Sequence, residues 1–124
     1  MHVFKDFEKA VLSILLKDSF SDEGVEKIQN EAEFISYDYT GCGYFLSVRN
    51  ELLPKQRQVC DLPLVIGEYH DITCGFVVFL EGGELTLECH SWSETEVPAN
   101  FREQPVEIRP VTIESGRFVA LLKE

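Results

Sequence analysis

The spacing of apolar positions changes near residue 33, dividing a helical N-terminal quarter from a strand-rich remainder. Val3, Phe4, Phe7, Ala10, Val11, Ile14 and Leu15 recur at helical intervals, which predicts one apolar face on a helix running to about Lys17. Lys5, Glu8, Lys9 and Ser13 take most of the other face. Ser21, followed by Asp22 and Glu23, predicts the start of a second helix. Its hydroxyl satisfies an orphan amide, and the acids suit the positive end of the helix dipole. Val25, Ile28 and Ala32 then form a narrow apolar stripe, which Gly24 weakens.

Beyond residue 33 the aromatic and β-branched residues take over. EFISYDY and GYFLSVR read as two strands joined at TGCG, where the glycines suit a hairpin loop. A polar segment, NELLPKQRQVCDLP, interrupts the sheet. LVIGEY, TCGFVVFLE and ELTLECHSW then read as consecutive strands. A two-residue turn at Gly82-Gly83 sets Glu81 opposite Glu84, Leu80 opposite Leu85, Val78 opposite Leu87 and Phe76 opposite Cys89. One face of this hairpin is then wholly apolar, and the other mixes Glu81, Glu84, Glu88 and His90 with Val77 and Phe79. Residues 91–105 keep no period, and Trp92 and Phe101 are read as anchors of this loop on the core. VEIRPVTI is a strand that Pro110 confines to an edge or a bend, and GRFVALLKE closes the fold as a strand or a helical turn. The pattern predicts an α+β fold, two N-terminal helices packed on a mostly antiparallel sheet of five to seven strands. At 124 residues it fits one domain, 1–124.

Charge narrows the function. Residues 1–60 hold ten acids and seven bases, whereas residues 61–104 hold nine acids and only Arg102, a local net charge of −8. A field of that sign repels nucleic-acid phosphates and anionic lipid and attracts basic partners. It also serves solubility. No apolar run is long enough to span a bilayer, and no basic region precedes a cleavage site, so the cytosol is the expected compartment.

Candidate chemistry is sparse. His70, Cys74, Cys89 and His90 lie close in sequence, but neighbours on a strand alternate, so Cys89 and His90 point to opposite faces and no zinc site is expected. Cys42, Cys60, Cys74 and Cys89 lack metal or redox spacing and read as free thiols of a reducing compartment. No catalytic elbow, phosphate-binding loop or cofactor motif occurs, so no catalytic residue and no cofactor is assigned. Three readings from different classes remain. One is a protein-binding face comprising Tyr69, Asp71, Glu81, Glu84, Glu88, Trp92, Glu94 and Glu96. Another is a small-ligand or enzymatic pocket near Cys42, Tyr44 and His70. The third is an oligomeric structural protein, which would show as a large exposed apolar patch.

With its amphipathic opening helix and the segments YDYTGCGYFLSV and CGFVVFLEGGELTLECHSW, the chain resembles small bacterial immunity proteins of polymorphic-toxin and contact-dependent-inhibition systems. The resemblance is clearest over residues 33–92 and rests on hairpins rather than chemical motifs. It implies a cytosolic protein that neutralises a cognate toxin, typically a nuclease, by direct binding. It transfers no individual contact residue.

Overall fold

Why the N-terminal segment folds as it does is clearest at its caps. In the computed structural model, which describes residues 3–92, 96–114 and 117–120, helix α1 spans Asp6–Leu15. Its Glu8 carboxylate reaches back to accept the Lys5 N–H at 2.8 Å. The helix stops short of Lys17 because the Leu16 carbonyl accepts from Ser19 and Phe20, turning the chain toward the second helix. Helix α2, Asp22–Glu31, begins as expected, with the Ser21 hydroxyl accepting from the Gly24 N–H at 3.1 Å.

The buried stripe of α1 is rotated from its expected position. Phe4, Phe7, Glu8, Val11, Leu12, Leu15 and Leu16 are buried, whereas Ala10 is exposed. Leu12 and Leu16, both fully buried, pull the helix round until the polar Glu8 faces inward with them.

Among the described residues eight strands follow: β1 Glu33–Tyr39, β2 Gly43–Arg49, β3 Gln58–Cys60, β4 Leu64–Tyr69, β5 Ile72–Glu81, β6 Glu84–Ser91, β7 Glu107–Glu114 and β8 Arg117–Ala120. Seven lie in the order β1-β2-β6-β5-β4-β7-β8, and the short β3 pairs with β5 off that path. Every described pairing is antiparallel. The fold is therefore α+β, two helices with a seven-strand antiparallel path. The eighth strand comes from the polar segment before Pro63, whose Val59 and Cys60 align beside Phe79 and Val78.

The β5–β6 register is the one its turn requires. Glu81 pairs Glu84, Leu80 pairs Leu85, Val78 pairs Leu87 and Phe76 pairs Cys89. Gly82 and Gly83 hold φ of 61° and 79°, a left-handed pair that glycine adopts without a Cβ clash. Their amides donate to the Lys55 and Pro54 carbonyls, so the polar loop straps the turn. Pro110 lies just outside the β8 ladder, whose pairs begin at Val111, and so withholds no sheet hydrogen bond on that side.

The helices cover one face of the sheet. Phe7, Val11, Leu12, Val25 and Ile28 join Leu46, Phe76, Val78, Leu80, Leu85 and Leu87 in a continuous core. Phe101, within a short 3-10 turn, closes its end against Phe7, ring centroids 5.9 Å apart. Over β2, β6 and β5, no described helix lies on the opposite face.

Candidate partner-binding face

Strand pairing arranges this uncovered face in rows. One row runs Asp38, Phe45, Glu88 and Val77, and the next runs Ser47, Thr86, Phe79 and Val59. Phe45, Val59 and Trp92 are substantially exposed. Aromatic and apolar groups interleaved with carboxylates suit burial against another protein better than permanent contact with water.

The two ends of the β5–β6 hairpin differ. At the turn, Glu84 pairs with Arg49 at 3.1 Å, and Lys55 packs over Gly83. Basic side chains there temper the Glu81–Glu84 juxtaposition. About 20 Å away, at roughly 3.3 Å per residue, the strands end in a cleft of about 340 Å3 lined by Asp61, Leu64, Gly75, Val77, Glu88, His90 and Trp92. No basic side chain pairs with Asp61 or Glu88 among the described residues.

The expected interface residues are thus only partly gathered. Glu81, Glu84, Glu88 and Trp92 share the open face. Asp71 is exposed at the β4–β5 turn, and Glu96 is exposed beyond β6. Tyr69 lies on the covered side, half-buried, its ring 6.4 Å from Phe101. Glu94 falls outside the described residues. Of the two expected loop anchors, Phe101 is buried in the core, whereas Trp92 is 39% exposed and rests on β5 at Gly75.

Sequence reasoning missed the most polar contact in the interior. Glu8, assigned above to the solvent face of its helix, is fully buried. Arg102 donates from Nε and one terminal nitrogen to the two Glu8 oxygens at 2.8 and 2.7 Å, and the buried Tyr44 hydroxyl donates to Oε2. The guanidinium also sits 5.4 Å from the Tyr37 ring centroid and 5.8 Å from that of Tyr44. Burial opposes the charge of Arg102, yet the Glu8 hydrogen bonds and charge outweigh it and hold the group above its ordinary value. Burial, then the Glu8 carboxylate, pushes the Tyr44 hydroxyl far up, which keeps it a proton donor to Glu8. The available signal was the four-residue spacing of Phe4, Glu8, Leu12 and Leu16.

The alternative site near Cys42, Tyr44 and His70 is dispersed. Cys42 is exposed in the β1–β2 turn, Tyr44 is committed to Glu8, and His70 is exposed at the β4–β5 turn with φ 55°. The Cys42 carbonyl accepts from Ser91 and the Gly41 carbonyl from Val97, so this turn is closed by its neighbours. Cys60, Cys74 and Cys89 are buried free thiols. A hydrogen bond to Cys74 and burial push Cys89 up, and burial raises Cys60, so these two are held as protonated thiols. Cys89 is buried and His90 exposed, on opposite faces of β6, and no metal-holding group of three or more side chains occurs among the described residues. No described helix is long and apolar enough to cross a membrane.

Compared with protein-family models, with curated proteins and with solved structures, the chain finds no match.

Proposed function

We propose that this chain is a protein-binding domain that takes a basic protein on its open sheet face, and that it serves as a cytosolic immunity factor neutralising a nuclease toxin. The observation that carries the reading is the acid-bearing face of β5–β6, over which no described helix lies, ending at an exposed Trp92 in the same cleft as Glu88, which has no ion-pair partner among the described residues. Nucleases present basic surfaces to their substrates. An acidic face steers such a partner into encounter, and aromatic groups buried on contact slow its departure. The charge pattern disfavours nucleic acid as the direct ligand. The immunity role rests on the resemblance over residues 33–92 together with this face.

The test is capture of the secreted toxin domain encoded beside this chain. The purified proteins should form a stoichiometric complex that loses nuclease activity, with affinity falling steeply as salt rises. The Glu81→Lys/Glu88→Lys variant should weaken capture by roughly tenfold or more while remaining folded. A neighbouring gene of another kind, or capture indifferent to both salt and charge reversal, would sink the proposal.

A further inference from the structure

The cleft at the Trp92 end of the open face is more specific than an acidic surface. Its wall is the only tryptophan of the chain. Gly75 and Val77 of β5 also line it. A Cβ on Gly75 would lie 2.3 Å from the Trp92 Nε1 and 2.6 Å from Cε2. Bare glycine lets the indole rest on the strand, so the wall is in place before a ligand arrives. Asp61 and Glu88 line the same cleft without an ion-pair partner among the described residues, and exposed His90 lines it too, beside apolar Leu64, Val65 and Phe76.

An aromatic wall with carboxylates beside it matches a flat cation. The indole attracts positive charge over its face, and carboxylates accept N–H groups at the edge of the same cation. A guanidinium satisfies both demands, because it stacks, donates in a fork and is less strongly hydrated than an ammonium. The cleft, about 340 Å3, is at the small end of ligand sites, which run from about 300 to 1,000 Å3. The surrounding segment, nine acids against one base over residues 61–104, favours a cationic guest over any anion. Resting on the reading that the open face takes a basic protein, we infer that this cleft receives one arginine side chain of that partner, stacked on Trp92 and bridged by Asp61 and Glu88.

The experiment uses the full chain and two labelled peptides, hexa-arginine and hexa-lysine, whose equal charge cancels general attraction. Anisotropy should show the arginine peptide bound at least roughly fivefold tighter, and its binding should change Trp92 emission. The shape-conserving Asp61→Asn/Glu88→Gln variant should lower that preference to below about twofold. Asp71→Asn/Glu81→Gln removes the same charge away from the cleft, and should weaken both peptides alike while keeping the preference. Equal binding of the two peptides by the unmodified chain overturns the assignment. So does a preference that survives in the Asp61/Glu88 variant, or one lost equally in both variants. Because no toxin enters this measurement, equal peptide binding removes the cleft and leaves the open face standing. Failure to capture the toxin, with the arginine preference intact, removes the toxin reading and leaves the cleft.

Discussion

Two carboxylates on opposite faces of the sheet, Glu8 and Glu88, meet opposite environments. Glu8 is fully buried and receives Arg102 twice, the Tyr44 hydroxyl and the Lys5 N–H. Glu88 stands half-buried between Phe45 and Val77, with no cation paired to it among the described residues. The contrast is coupled through one residue. Arg102 is the only base in residues 61–104, and it is drawn inward to neutralise Glu8 on α1. Lys5, Arg49 and Arg109 pair Glu103, Glu84 and Glu68 from elsewhere in the chain. Asp61, Asp71, Glu81, Glu88 and Glu96 have no such partner among the described residues. Net charge therefore understates the field on the open face, because the base that would temper it is spent in the core.

The sharpest way to break this contrast is to strand Glu8. Arg102→Met leaves a buried carboxylate without its counter-charge and should cost about 3–5 kcal/mol of stability, read as a lower urea midpoint at unchanged slope. Glu88→Gln, by comparison, should stay within about 0.5 kcal/mol. Equal losses from the two substitutions would erase the distinction between the regions.

A smaller effect comes from Gly75→Ala. The added methyl cannot share space with the Trp92 indole, so the ring must leave its seat, at a cost of about 1–3 kcal/mol. Since Trp92 is the only tryptophan, its emission should shift toward that of a solvated indole. Unchanged emission would mean that the ring is not held as described. The smallest effect is a gain. Glu81→Gln relieves the like-charge pair with Glu84 and should stabilise by about 0.5 kcal/mol at low salt, fading as salt screens it. A loss instead would show that Arg49 and Lys55 hold both acids favourably.

The hairpin was the most legible element because two independent requirements agree there. Positive φ at Gly82 and Gly83 fixes the register, and strand alternation then sorts Phe76, Val78, Leu80, Leu85, Leu87 and Cys89 into the core. Short-range capping likewise placed Ser21. Two kinds of feature escaped. Strand β3 is only three residues long and polar at one end, so it exists through its partner Phe79 and Val78 rather than its own pattern. Glu8 escaped because a charged residue is normally counted to the solvent face. Its burial depends on an arginine 94 positions away, which no local spacing reveals. The acidic face could be read from the sequence, but not its unevenness. Arg49 reaches Glu84 across the β2–β6 pairing, and Lys55 reaches the turn by way of a loop.

Which face of the sheet meets a partner is read directly by amide shift mapping of the labelled chain on adding the toxin domain proposed as its partner. The largest perturbations should fall on Phe45, Val77, Phe79, Glu88, His90 and the Trp92 indole, with α1 and α2 unmoved. Perturbations centred on Ser13, Lys17 and Gln29 of the helical layer, with the Trp92 indole unchanged, would contradict the open-face reading.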